Sequence, residues 1–272
     1  MATQLQTTNR ETVLVEPAHV RPMMGLEVLE PLPARNIPYR LSDPYILVHE
    51  ATVPINPERA QLDTTHPHRG FDNLWYILSG SASTGHSTGP NGTFERARLE
   101  TGALLKIRTG RGVDHAEKIG EDELRAGKTG EFRSVLFWVN LARKDKQSEP
   151  TAQVIDAPDV PTRHEEGAVI RTLVGPGAAV ELGTPALILD VALAAGGDFS
   201  QPIDPEFNAF IWMLEGEADI GANGRRAGRS DIALLGPGGA LTVTRAQPGT
   251  RFMLMAGKPY GEEPVYNGPF VD

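Results

Sequence analysis

Two short clusters carry the side chains best suited to chemistry. They are His66-Pro67-His68-Arg69-Gly70-Phe71-Asp72 and Gly110-Arg111-Gly112-Val113-Asp114-His115-Ala116-Glu117. Each places two metal-ligand types at i and i+2. In an extended strand that spacing turns both side chains to one face. Two such strands, paired in a small barrel, would bring His66, His68, His115 and Glu117 to one point. Three neutral imidazoles and one carboxylate suit a first-row divalent metal and leave coordination positions open. A lone His-x-His is more often a surface pair, so the second cluster is what turns the first into a ligand set. Asp72 is a second carboxylate candidate.

The rest of the chain must hold those strands. Its 272 residues suffice for one large domain or two of roughly 100–150 residues. Many Gly and Pro residues punctuate short apolar runs, which favours an all-β architecture. Pro67 lacks a donor, so its strand should start, edge or bulge there. Phe71–Leu78, Ala103–Ile107 and Phe132–Leu141 read as strands around the clusters, and Ser79-Gly80 as a turn. Ser83–Gly92 and Glu121–Glu131 read as loops. Pro185–Leu193, Phe207–Leu214, Ile232–Leu235, Leu241–Thr244 and Phe252–Met255 read as a second set of strands, hence an internal repeat. The expected division is an N-terminal arm with first strands (1–40), a metal-bearing barrel (41–142), a charged, Pro-containing connector (143–167) and a second barrel (168–272). No histidine follows His164, so that second barrel has no imidazole ligands.

There is no cysteine, hence no disulfide and no thiolate site. No apolar run approaches the length of a membrane helix, and the first ten residues lack a signal-peptide core. A cytoplasmic protein without membrane attachment is expected. The net charge of −9 argues against direct nucleic-acid binding.

His-Pro-His-Arg-Gly-Phe at 66–71, the aromatic strand ending in Ser79-Gly80, and Gly110-Arg111-Gly112 followed by His115-Ala116-Glu117 resemble the pirin family of bicupins. Asp43-Pro44-Tyr45, Phe137-Trp138-Val139-Asn140-Leu141, Ser200-Gln201-Pro202 and Asn267-Gly268-Pro269-Phe270-Val271 agree in order and spacing. The resemblance implies two stacked antiparallel jelly-roll barrels. It implies iron at His66, His68, His115 and Glu117, with Glu117 preferred over Asp72. Ni, Mn and Zn accept the same donors. Some members resemble quercetin 2,3-dioxygenases; others are described as transcriptional cofactors or partners of metabolic enzymes.

Two functions are therefore expected. One is Fe(II)-dependent dioxygenation of a flavonol-like aromatic by O2, with Glu117 as the general base. The alternative is a metal-dependent regulatory module that docks a protein partner. Asp72 is expected to hydrogen-bond a ligand histidine. Arg69 and Arg111 are expected to pair with Asp72 or Asp114, or to anchor an anionic substrate. Thr84 stands where many members have a histidine, His86 is expected exposed, and His49 is expected as a satisfied structural histidine. Glu215, Glu217 and Asp219 read as a solvated face.

Overall fold

The computed structural model describes residues 8–23, 25–60 and 64–272. The first seven residues of the expected arm lie outside them. The chain forms four large sheets, built from antiparallel ladders and arranged as two matching pairs. One seven-stranded sheet runs Thr151–Ile155, Leu104–Arg108, Phe71–Ser79, Glu131–Asn140, Tyr45–Pro54, Leu26–Leu32, His19–Met23. Its four-stranded companion runs His66–His68, Val113–Ile119, Ser81–His86, Glu95–Glu100. The second pair begins Thr12–Pro17, Asp231–Leu235, Asn208–Glu215, Arg251–Gly257, Ala186–Leu193, and its companion is Phe199–Pro202, Ala240–Thr244, Glu217–Ile220, Arg225–Gly228. The expected all-β bicupin with an internal repeat is what is found. Among the described residues, no helix is long and apolar enough to cross a membrane.

The order of strands explains the ends of each half. Thr12–Pro17 is laid on the C-terminal sheet against Asp231–Leu235. Thr151–Ile155 takes the matching place on the N-terminal sheet against Leu104–Arg108. Each half thus lends its leading strand to the other. The stretch 143–167 is more than a connector: it carries this strand and also Thr162–Glu165 of the C-terminal sheet. The arm is likewise paired from residue 12 onward.

Alternation decides where side chains go. Leu74, Tyr76, Val135 and Phe137 face Phe210, Trp212, Met253 and Met255 of the other half, in one apolar layer between the two large sheets. Trp75, Ile77, Leu105 and Phe132 face the small N-terminal sheet instead. Two buried carboxylates interrupt the central layer. Tyr76 donates to Asp190 at 2.7 Å, and Arg251 grips the same carboxylate at 2.8 and 2.6 Å. Glu50 accepts from Arg133, Arg229 and the Trp212 indole at 2.8–3.0 Å.

Three local expectations are corrected. Ser81–His86 is a strand, not a loop, because Ala82, Thr84 and His86 bury against the barrel while its glycine lies under the Phe94 ring. Glu121–Arg125 is a short helix with its acids in the first turn, where the helix dipole favours them. Asp219 is buried and gripped by Arg226 and Arg245, whereas Glu217, bonded to Arg226, and Glu215, bonded to Arg133, keep to the surface as expected.

Candidate metal centre

His66–His68 is the edge strand of the small N-terminal sheet, which is where Pro67 can be tolerated. It pairs with Val113–Ile119 so that His66 lies opposite His115 and His68 opposite Val113. The three imidazoles converge, with ligand nitrogens within 4.8 Å of one another. Their ring centroids are 4.3–4.8 Å apart.

Two of the rings are oriented from behind. His66 Nδ1 donates to the Thr64 carbonyl at 2.5 Å, and His68 Nδ1 donates to the Pro269 carbonyl at 3.3 Å. With Nδ1 committed, Nε2 of both rings is left as a lone pair. His66 Nε2 faces His115 Nε2 at 3.0 Å. Burial, then the neighbouring His66, pushes the His68 imidazole down to about 4. Burial, then His66 and His68, pushes His115 down to about 2. Neutral rings with converging lone pairs are what a divalent metal requires, so the cluster fits one.

Glu117 shares their face but not their centre. Its Oε1 lies 3.1 Å from His115 Nδ1, and the three-histidine group does not include it. Its amide donates to Thr64 Oγ1 at 2.8 Å. Burial pushes its carboxyl up to about 8. It is the carboxylate on the wall of a cavity of about 660 Å³, which opens from the histidines between Trp75, Leu136, Phe132 and Trp138. The two tryptophans are thus cavity wall.

The corresponding row in the C-terminal half is apolar. Where the N-terminal sheet reads His86, His115, His66 across three strands, the other reads Ile220, Val243, Phe199.

The remaining candidates lie elsewhere. Asp72 is fully buried but turns away from the histidines, and it accepts from Arg108 at 3.1 and 3.3 Å. Gly70, at φ +91°, resets the strand alternation between His68 and Asp72. Arg69 pairs with Asp272 at 2.7–2.8 Å and lies 5.3 Å from the Phe270 ring centroid. Arg111 pairs with Glu149 on the surface. Neither arginine pairs with Asp72 or Asp114, and neither lines the 660 Å³ cavity. His86 is buried opposite His115, with Nδ1 bonded to Thr88 Oγ1 at 2.8 Å, so it is not exposed.

The sequence reading marks Asn267–Val271 as family-like but not as part of the site, since only the fold brings 265–272 to the histidines. Tyr266 and Gly268 line the cavity. Buried Lys146 donates to the carbonyls of Gly70 at 2.8 Å and Val271 at 3.2 Å. A Cβ on Gly70 would come within 1.7 Å of the Val271 carbonyl oxygen. Gly70→Ala should therefore expel this segment and free the Pro269 carbonyl from His68. We expect about 2–3 kcal/mol of lost stability from strain and lost packing, with weakened metal binding. Urea unfolding and metal titration would check both; a neutral substitution would refute the contact.

Comparison with known proteins agrees with this geometry. Residues 188–272 match the family described as the Pirin C-terminal cupin domain. A Pirin-like protein of Solanum lycopersicum is 32% identical over 235 residues, which cover 84% of this chain and 75% of that one. The crystal structure of a quercetin 2,3-dioxygenase from Acinetobacter baumannii superposes with a TM-score of 0.84 at 22% identity, over 96% of this chain and 91% of that one. The bacterial pirin YhhW from Escherichia coli, solved with nickel(II), superposes with a TM-score of 0.67 at 15% identity, over 90% and 100% of the two chains. A paired set of cupin sheets, a three-histidine centre in the N-terminal half and this sequence similarity together place the chain in the pirin family.

Proposed function

We propose that this chain is an Fe(II)-dependent dioxygenase acting on a flavonol-like aromatic. The observation that carries the reading is the joint one: three converging imidazoles, two of them held from behind, open onto an apolar, tryptophan-walled cavity that also holds Glu117. Two related folds add support, one named a quercetin 2,3-dioxygenase and the other holding nickel(II).

His66, His68 and His115 would hold the metal, and rotation of the Glu117 side chain would add a fourth donor. Bound there, the metal would supply Lewis acidity toward a substrate hydroxyl and redox chemistry toward O2.

The protein's own groups do the rest. Trp75 and Trp138 offer flat apolar surfaces to an aromatic ring. The apolar wall limits water. Glu117 takes the substrate's proton as general base; a nearby cation would favour its ionised form against the effect of burial.

Oxygen uptake by Fe(II)-reconstituted protein with quercetin tests this. Glu117→Gln should lower uptake by about 10²–10⁴-fold, the usual contribution of a general base. Iron-loaded wild type that consumes no oxygen with any flavonol would refute the reading.

A further inference from the structure

The metal cavity has a second polar feature, on its sheet wall rather than at the histidine cluster. His49 lines the cavity and is 4% exposed. It lies in register with Leu136, which in turn pairs with Trp75, so the three side chains form one row across the wall. Its Nε2 contacts Glu30 Oε2 closely, and Arg21 donates to the same oxygen at 2.8 Å. Nε2 therefore carries a proton toward the carboxylate, which leaves Nδ1 as the free polar atom of the ring. Nδ1 is buried and has no partner. This histidine is not satisfied, contrary to the expectation from sequence.

It is not alone on that wall. Asn73 Oδ1 and Trp138 Nε1 are also buried without partners, and these two residues lie opposite each other in the next row. A buried unpartnered polar atom costs about 1–3 kcal/mol, so such groups rarely gather without a use. Strand geometry puts His49 roughly 8 Å from Trp138, one strand across and two residues along. An apolar slot with a free imidazole nitrogen on one side, and an amide acceptor beside an indole donor on the other, matches a flat ligand with several hydroxyl or carbonyl oxygens.

The charges narrow the class further. Burial alone would raise the Glu30 carboxyl, but hydrogen bonds from His49 and Arg21 outweigh it and hold it below the ordinary carboxylate range. Glu30 lies behind the cavity wall and its charge is matched by Arg21, so the group offers a ligand no net charge. A neutral hydroxyl is the group that this pair accepts.

We propose that Glu30 and His49 form a hydroxyl-recognising subsite of the metal cavity, selecting neutral, planar, polyhydroxylated aromatics over analogues that lack hydroxyls beyond the metal-binding ones. Glu30 is the positioning residue and His49 the contact. This rests on the substrate class proposed above and says which members of the class are preferred.

The test compares two ligands on Fe(II)-loaded protein under anaerobic conditions, read by tryptophan fluorescence quenching. Quercetin carries ring hydroxyls that 3-hydroxyflavone lacks, while both keep the chelating hydroxyl and ketone. Wild type should bind quercetin about tenfold more tightly, the effect of one net hydrogen bond. His49→Leu should remove that preference while leaving 3-hydroxyflavone affinity and iron content unchanged. Glu30→Gln should reduce the preference, and His49→Asn, which keeps a polar group at the Nδ1 position, should restore part of it. Variants that keep the wild-type preference would overturn the subsite even if Glu117-dependent oxygen uptake stands. A preference lost in His49→Leu, with no uptake by wild type, would uphold the subsite and refute the dioxygenase. Wild type that binds neither ligand would overturn both.

Discussion

His115→Ala should strip divalent metal from the protein and lower its affinity more than about 100-fold. Losing a group that merely supports a ligand typically costs 10–100-fold, and His115 is the central imidazole itself. It faces His66 Nε2 at 3.0 Å and shares the cluster with His68. The fold should survive, because the side chain borders an existing cavity rather than filling a packed core. Metal analysis after dialysis, run beside circular dichroism, measures both. Wild-type metal content in the folded variant would show that the metal sits elsewhere.

The same titration has a pH signature. His68 and His115 are already neutral above about pH 5, given values near 4 and 2. Glu117, held at about 8, is protonated in the metal-free protein at neutral pH. A metal that draws in its carboxylate must displace that proton, so affinity should rise as pH approaches 8. Glu117→Gln should flatten the rise. The stability of the metal-free fold runs the other way. The folded value lies above the unfolded carboxylate value, so Glu117's contribution is fully present below about pH 4.5 and lost as pH rises through about 8. A metal affinity independent of pH in wild type would remove Glu117 from the ligand set.

Glu50→Gln should destabilise the whole molecule by about 3 kcal/mol, the lower end of what breaking a buried ion pair costs. Glu50 is fully buried between the large sheets and neutralises Arg133 and Arg229 while accepting from the Trp212 indole. The variant keeps the size of the side chain but removes the buried charge that the two guanidinium groups share, leaving them only the half-exposed Glu215, 2.6 Å from Arg133 and 3.9 Å from Arg229. The arginines keep 25% and 35% of their side-chain surface exposed, so hydration offsets part of the loss. Urea unfolding gives the number, and a double-mutant cycle with Arg229→Met apportions it. A loss under 1 kcal/mol would show that Glu50 adds little to the apolar layer that joins the two halves.

Much of this was legible in one dimension. The i, i+2 pairs at His66 and His115 each share a face because strand alternation is local: neighbouring Cβ atoms point to opposite faces whatever the fold. The strand Phe71–Ser79 and its counterpart Asn208–Glu215 announced themselves by apolar, aromatic runs ended by glycine turns. The absence of histidine after His164 ruled out a second imidazole centre, and the strand register puts Phe199 and Val243 in those places.

What failed depended on phase and on distance along the chain. Asp72 reads as a neighbour of His68 until Gly70 takes a left-handed conformation and turns the following strand to the other face. His49 reads as structural until the pairing of Tyr45–Pro54 with Glu131–Asn140 sets it in the cavity wall beside Leu136. Arg69 finds Asp272, Lys146 finds Val271, and His68 finds the Pro269 carbonyl, each across more than a hundred residues. Local patterns determined the strands and the ligand types. The partners behind those ligands, and the polar wall before them, were decided only by tertiary packing, because a hydrogen bond depends on position in space and carries no periodicity along the sequence.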